Sequence, residues 1–395
     1  MEKLIDKSER ILRSVNLTFC RYLLDIIDWN ERLIAIRGAR GTGKTTMMLQ
    51  HIKKNKIKNT LYVSLDDLYF TNHTLTELAD HFVLMGGQHL YLDEVHKYPG
   101  WSKEIKNLYD SYPDLSIVFS SSSALQIDKG EADLSRRSVK YTLQELSFRE
   151  YLALTNKTDF DVLTLKNILE NHNNIASTIA RKIVPVKLFH EYLQFGCYPF
   201  IQEGKNNYLN KIRWSASHTV ETDLPAIEKM TYETVIKLKK LLMVIGASVP
   251  FKPNITDLSQ KIGTSRDQLL KFLWLLNNAG LLQLLRQNTL PSGYLTKPEK
   301  IYLNNSSLFY ALSEKTPEIG ALRETFFMNQ VANQHLLHYS GKADFLVDRK
   351  FLFEVGGANK TNKQIKGSKN SFVVSDNIET GYGNHIPLWL FGFLY

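Results

Sequence analysis

Cysteine is nearly absent, with only Cys20 and Cys197 in 395 residues. The two lie far apart in no C-x-x-C spacing, so neither a disulfide framework nor a zinc site is expected, and a reducing cytoplasm is the expected compartment. Long apolar runs are missing too. The stretch LLKFLWLLNNAGLLQLL is interrupted by Lys271, Asn277 and Asn278, and the closing IPLWLFGFLY is short of the roughly 18 residues a membrane span requires. No membrane segment is expected. The opening MEKLIDKSERILRSV alternates charged with apolar residues, lacks the unbroken apolar core of a signal peptide, and reads as an amphipathic helix. Internal repeats and low-complexity linkers are also absent.

What is present is the balance of a folded soluble protein. A hydrophobic fraction of 43%, a charged fraction of 23% and a mean hydropathy of -0.24 exclude a disordered or fibrous chain. The length exceeds one ordinary core and implies two to four domains. Lys and Arg outnumber Asp and Glu by 49 to 40. This surplus permits a polyanionic partner but is spread along the chain, as on a solvated surface.

The first 145 or so residues alternate short apolar runs with helical stretches, the pattern of a parallel sheet covered by helices. RLIAIRG, TLYVSLD, HLYLDE, LSIVFSS and VKYTL are the expected strands, with TTMMLQHIKK and WSKEIKNLYDSY among the helices between them. Strand signals then fade through about residue 230. After that, TVIKLKKLLMVIGASV, ITDLSQKIG, TSRDQLLKFLWLLNNAG and LLQLLRQ…EKIYLNN give three helices and a hairpin, the order of a winged helix-turn-helix. The last 75 residues predict a helix, the strands ADFLVDR, KFLFEVGG and NSFVVSD, and a terminal apolar strand. The expected division is 1–146, 147–230, 231–312 and 313–395.

The chemistry concentrates in IRGARGTGKTTMM, which contains G-x-x-x-x-G-K-T between a strand and a helix. Gly38, Gly41 and Gly43 let the backbone bend so that the N–H groups of Gly38, Ala39, Arg40, Gly41, Thr42, Gly43, Lys44, Thr45 and Thr46 can face phosphate oxygens. Lys44 reaches the terminal phosphates of ATP. Thr45 offers a hydroxyl to Mg²⁺, and the following helix points its positive end at the anion. A second motif, HLYLDEVH, delivers Asp93 to the sheet edge as a water-mediated Mg²⁺ ligand and Glu94 as the base for the attacking water. The alternative for this acidic pair is a turn capping the next helix. With His96 the motif also has the look of a helicase motor, but no second motor domain can be read in the chain.

With both motifs placed, the chain resembles a prokaryotic family of AAA-type P-loop ATPases carrying a winged-helix segment and a C-terminal nuclease-like domain of unassigned function. The markers are IRGARGTGKTTMM, YVSLDDLYF, LYLDEVHKYPGWSKEIKNLYD, IVFSSSSALQI, DLSRRSVKYTLQELSFREYL and FGCYPF. The resemblance implies a multidomain α/β chain. Its parts would be a P-loop NTPase parallel-sheet core, an all-helical lid, a winged helix-turn-helix and a restriction-endonuclease-like domain. It further implies that Ser120, Ser121 or Ser122 faces the γ-phosphate, the alternative being a Ser-rich turn. Arg137 stands at an Arg-finger position serving a neighbouring subunit in a homo-oligomer, with Arg136 where the family has Gly; the alternative is a surface Arg pair. Cys197 replaces the second Gly of a Gly-Gly-x-Pro turn, and Phe200 follows Pro199 where an acid is usual, which bears on the shape of the lid.

In the winged-helix segment Arg266, Gln268 and Lys271 form the polar face open to DNA, and Lys237 to Lys240 add basic charge. Leu269, Phe272, Leu273 and Leu276 make an apolar stripe, with Leu270, Trp274 and Leu275 off it, so packing claims most of that helix. In the last domain Glu324, Asp344 and Glu354 follow the helix-acid, strand-acid, strand-acid order of the PD-(D/E)xK nuclease fold and form a candidate second metal site. Gly356 stands where that pattern places Lys, which argues against cleavage unless Lys360, Lys363 or Lys366 reaches in. The expected activity is Mg²⁺-dependent ATP hydrolysis that rearranges the C-terminal domains. The rivals are a DNA-binding regulator with ATP as a conformational ligand, and an ATP-gated nuclease.

Overall fold

A computed structural model describes residues 1–121, 134, 136–156, 158–247, 252–287, 296–313, 317–360, 365 and 367–395. Two compact units emerge. The first comprises Met1–Gln144 with Glu221–Lys229, and the second Glu145–Val220 with Met230–Tyr395.

The first unit is built on β1 (Leu33–Arg37), β2 (Thr60–Ser64), β3 (His89–Asp93), β4 (Ser116–Ser121) and β5 (Val139–Thr142). All are parallel, in the order β2-β3-β4-β1-β5. Alternate side chains feed two cores. Leu33, Ala35, Leu61, Leu90, Leu92 and Phe119 pack on one face, while Ile34, Ile36, Tyr62, Tyr91 and Val118 pack on the other. Burial on both faces is why β1 to β4 appear in the sequence as nearly unbroken apolar runs.

Helix α1 (Glu2–Ser14) buries Leu4, and the Ser8 hydroxyl accepts the Tyr62 N–H at 3.1 Å. Helix α2 (Lys44–Asn55) sends Met47, Met48 and Ile52 into the second core. Helices α3 (Leu75–Leu84) and α4 (Trp101–Ser111) cover the other face, α3 starting at a Thr74–Glu77 capping box. Because β4 separates β1 from β3, the loop leaving β1 and the acids ending β3 flank the tip of β4. Ligands of open α/β sheets gather at such C-terminal strand ends.

The second unit begins with α5 (Phe148–Asn156), α6 (Leu165–Ala180), α7 (Pro185–Phe195) and α8 (Tyr208–His218). It resumes with α9 (Tyr232–Gly246), α10 (Ile255–Ile262) and α11 (Arg266–Asn278), then the antiparallel pair β6 (Leu282–Leu285) and β7 (Lys300–Leu303). Asn254 caps α10 and Ser265 caps α11 through side-chain oxygens, and Gly263 between them takes φ +73°.

Helices α12 (Ser306–Leu312) and α13 (Ile319–Val331) precede a sheet of β8 (Leu337–His338), β9 (Phe345–Val347), β10 (Phe351–Gly356), β11 (Ser371–Ser375) and β12 (His385–Pro387). Strands β8, β9 and β10 pair antiparallel, and β11 and β12 add in parallel. The closing apolar run departs from expectation. Only its first two residues fall in β12, and Leu388–Phe393 coil into a 3-10 helix. Its residues are buried on all sides, so no periodicity distinguishes strand from helix. Among the described residues no helix is long and apolar enough to cross a membrane.

Candidate nucleotide site

The loop between β1 and α2 needs its glycines at two points. At Gly38 a Cβ would stand 2.3 Å from the Leu143 carbonyl oxygen, and Gly43 takes φ +95° as it caps α2. The Thr42 hydroxyl donates to the Ala39 carbonyl at 2.9 Å. Lys44 is buried and donates to the carbonyls of Gly38 and Ala39, both at 2.9 Å, so its ammonium lies inside the loop's own curl. Burial pushes the Lys44 amine down, against the pull of Glu94 and Asp93. Arg40, Gly41 and Thr46 lie on the outer side, with Gly41 and Thr46 exposed.

Beneath the loop lies a buttress that sequence reading missed. Arg21 is buried; one guanidinium nitrogen donates to the Thr42 carbonyl and the other to that of Gln144 at 2.7 Å. The charged group thereby satisfies two backbone carbonyls, one of them in the loop. An isolated Arg ahead of a strand carries no local signal of such a role.

Asp93 ends β3 almost fully buried, and four neutral donors converge on it. Its Oδ2 accepts from the Thr45 hydroxyl at 2.5 Å and the Tyr62 phenol at 2.9 Å. Its Oδ1 accepts from the Ser120 hydroxyl and from the Glu94 N–H at 3.1 Å. Burial and then the Asp93 charge push the Tyr62 phenol far up, so it remains a donor. The structure thus brings together Thr45 and Asp93, 48 positions apart. Hydroxyl and carboxylate oxygens are hard ligands, and this pair fits Mg²⁺ shared with phosphate and water.

Glu94 follows in the left-handed region, φ 52° and ψ 40°, a conformation that costs a non-glycine residue energy and recurs at functional sites. His96, with its side chain fully buried, sets Nε2 3.4 Å from Glu94 Oε2 and 3.8 Å from Asp223 Oδ1. Its Nδ1 lies 3.3 Å from the Ser121 hydroxyl. Asp223 also receives Lys97 at 2.8 Å and lies 3.9 Å from Arg40. Burial alone would raise the Asp223 carboxyl, but His96 and Lys97 hold it at about 2. Sequence reading missed Asp223, more than a hundred positions from the motif it serves.

Ser120 and Ser121 are therefore both engaged beside Asp93 and His96, and Ser122 lies outside the described residues. Arg137 makes a two-pronged ion pair with Asp110 of α4, at 2.8 and 3.0 Å, and Arg136 is exposed.

In the second unit the three acids of the last domain meet lysines. Lys300 of β7 donates to Glu324 at 2.8 Å and to Asp344 at 3.0 Å, and the Tyr302 phenol donates to Glu324 at 2.7 Å. Lys360 reaches Glu354 at 2.7 Å, while Lys363 and Lys366 lie outside the described residues. Burial, then Asp344, push the Glu324 carboxyl up; burial also raises Glu354 against the pull of Lys360. Lys300 thus lies between two of the three acids, and Lys360 contacts the third. Among the described residues no group of three or more His, Cys, Asp or Glu is arranged to hold a metal ion.

On α11, Arg266 is exposed and Gln268, Lys271 and Trp274 are half-buried, while Leu269, Leu270, Phe272, Leu273, Leu275 and Leu276 are buried. On α9, Lys237 pairs with Glu233 at 2.7 Å, and Lys240 is exposed. Cys197 is buried, its N–H 3.4 Å from the Ser307 hydroxyl, and Phe200 stacks on Tyr198. Both cysteines are free.

Residues 30–152 match the family model of an AAA domain, and residues 186–319 match a domain of unknown function (DUF8612). An uncharacterized protein of Methanocaldococcus jannaschii is 26% identical over 385 residues, covering 89% of this chain and 81% of that protein. Among solved structures, AMPPCP-bound DnaA from Aquifex aeolicus is 13% identical, covering 69% of this chain and 87% of that one, with a TM-score of 0.28. A chain from a structure of katanin self-assembly is 14% identical with a TM-score of 0.26; the match covers 40% of this chain and 57%, little over half, of that one. Both superpose loosely, so the assignment rests on the family match with the loop and sheet described above. Residues 30–152 match the AAA domain model over a phosphate loop and a five-stranded parallel sheet, the fold of a P-loop domain.

Proposed function

We propose that the first unit binds ATP with Mg²⁺ and hydrolyses it. The observation that carries this reading is the 2.5 Å contact between Thr45 Oγ1 and Asp93 Oδ2, which joins the phosphate loop to the end of β3. Lys44 exchanges its two loop carbonyls for oxygens of the β- and γ-phosphates, a shift its flexible stem permits. Thr45 and Asp93 would hold the metal. Bound Mg²⁺ supplies neutralisation of charge on the phosphate oxygens. Glu94 accepts a proton from water as its oxygen attacks the γ-phosphorus. The bond to the bridging oxygen breaks, and its electron pair leaves with ADP.

The test is phosphate release by the wild type and by Glu94→Gln, with nucleotide affinity measured alongside. Loss of a general base predicts a fall of roughly 10²-fold or more with affinity retained. Full turnover in Glu94→Gln removes Glu94 from the role.

A second reading concerns the last domain. Its helix, its antiparallel β8-β9-β10 and its parallel β11, with acids at Glu324, Asp344 and Glu354, support a nuclease-like arrangement. The Lys300 bridge favours a domain that does not cleave, because two carboxylates are already neutralised. Mg²⁺- or Mn²⁺-dependent cleavage of DNA or RNA by the wild type, lost in Asp344→Asn, would overturn that.

A further inference from the structure

A cavity of about 510 Å³ opens in the first unit at the end of the sheet away from the phosphate loop. Its walls are the last turns of α2, the first residues of β3 and β4, and the stretch Ile27–Glu31 ahead of β1. The volume falls within the roughly 300–1,000 Å³ of small-molecule sites. None of the residues placed above at the nucleotide site lines it.

His51 of α2 lines the cavity and is only 6% exposed. Its ring stacks on Trp29, with centroids 3.6 Å apart and planes 9° from parallel, and the Trp29 indole N–H donates to the Leu24 carbonyl at 2.8 Å. The Tyr91 hydroxyl lies 2.9 Å from His51 Nδ1. Having no other partner among the described residues, that hydroxyl donates to Nδ1, and the neutral imidazole carries its own proton on Nε2. Burial, then His89 and Lys54, push the ring down to about 4, which keeps it neutral. The Nε2–H finds no acceptor among the described residues.

The charge of the lining has one sign. Asp28 and Glu31 contribute exposed carboxylates, and no lysine or arginine stands among the described lining residues. The two lysines closing α2 are engaged elsewhere. Lys53 donates to the Arg13 and Val15 carbonyls at 2.9 and 2.6 Å, and Lys54 pairs with Asp25 at 3.2 Å. The carbonyl end of α2 also favours a cation here, as its opposite end favours phosphate. Ile27, Ile57 and Val118 supply apolar wall, and the Trp29 and Tyr91 rings attract both apolar bodies and cations.

We propose that this cavity is a second ligand site that takes a small organic cation, a protonated amine on an aromatic body carrying a hydrogen-bond acceptor. The amine faces Asp28 and Glu31, and the acceptor takes the Nε2–H of His51. A lining of this sign repels phosphate, so the site is not a second nucleotide pocket. It stands whether or not the first unit hydrolyses ATP.

The test is isothermal titration calorimetry of the full chain with three probes of similar size. Tyramine has the amine, the ring and a hydroxyl acceptor; phenethylamine lacks the hydroxyl; 4-hydroxyphenylacetate keeps ring and hydroxyl but reverses the charge. Tyramine should bind one site per chain with a Kd at or below roughly 1 mM, and the acid should not saturate. Asp28→Asn with Glu31→Gln should weaken tyramine about tenfold. His51→Phe keeps a ring against Trp29, removes the Nε2–H, and should bring tyramine down to the affinity of phenethylamine, about threefold to tenfold weaker.

No saturation by tyramine, equal binding of the acid, equal affinity of the two amines for the wild type, or unchanged tyramine affinity in the double variant overturns the proposal. Should the double variant fail to fold, shown by loss of its circular dichroism spectrum, Asp28→Asn and Glu31→Gln enter singly, each held to a loss of about threefold.

Discussion

Replacing Lys300 with Met tests whether the acids of the last domain depend on an internal cation. The ammonium makes contacts of 2.8 and 3.0 Å to side chains only 14% and 16% exposed. Methionine fills much of the volume and leaves Glu324 and Asp344 facing each other, with Tyr302, among the described residues, still donating to Glu324. Removing one partner of a buried pair costs about 3–5 kcal/mol. At about 2–4 °C per kcal/mol for a domain of 150–250 residues, the second unit should melt roughly 6–20 °C lower at neutral pH. The pH dependence has a definite sign. Glu324 is already raised by burial and Asp344, and losing Lys300 raises it further. An acid raised in the folded state favours folding below its ordinary value, about 4.3, and loses that contribution as pH climbs through the raised one. The deficit relative to wild type should therefore be largest at neutral pH and shrink on acidification. Calorimetry on both proteins at about pH 7.5 and about pH 5 measures it. Mg²⁺ or Mn²⁺ should also stabilise the variant and not the wild type. An unchanged melting temperature, or a deficit that does not shrink in acid, refutes the argument.

Two further substitutions probe the phosphate loop. In Gly38→Ala the new Cβ would sit 2.3 Å from the Leu143 carbonyl oxygen, a backbone atom that cannot swing aside. The loop must shift, and ATP affinity should fall at least about tenfold, roughly 1.4 kcal/mol, in a fluorescent-nucleotide titration; unchanged affinity would show that the approach is not needed. Arg21→Met strips the Thr42 and Gln144 carbonyls of their charged donor. With such bonds contributing about 1.5–3 kcal/mol, the denaturation midpoint of the first unit should drop, and an unmoved midpoint would deny the buttress its role.

The parts of this structure legible in sequence are those whose cause is local. Strands β1 to β4 could be read because each feeds two cores and so forms a compact apolar run. The phosphate loop could be read because contiguous residues build it. Even Asp93, far from Thr45, was within reach, since a strand end fixes where its side chain emerges. Asp223 was not. Its partners His96, Lys97 and Arg40 are local to the loop and to β3, but nothing in ETDLPAIE marks an acid destined for burial. Lys300 was missed for the same reason: in EKIYL it reads as an exposed strand-end lysine, and only pairing with the domain's acids reveals it.

The two carboxylate sites differ in the kind of donor that holds them, and that difference decides which is built for a divalent cation. Asp93 is surrounded by neutral donors: Thr45, Tyr62, Ser120 and the Glu94 N–H. A cation arriving there exchanges a hydroxyl hydrogen bond for a metal contact and meets a full negative charge, so its attraction is not offset by a lost ion pair. At Glu324 and Asp344 the ammonium of Lys300 already supplies that attraction. A cation entering must break two ion pairs and leave a lysine buried beside a like charge, an arrangement costing several kcal/mol. Both sites concentrate carboxylates at strand or helix positions typical of metal chemistry, yet in the second a lysine hydrogen-bonds two of the acids directly. The proposed ATPase reading therefore puts Mg²⁺ at the nucleotide site, while in the last domain Lys300, on a strand twenty-four residues upstream of Glu324, bridges two of the acids.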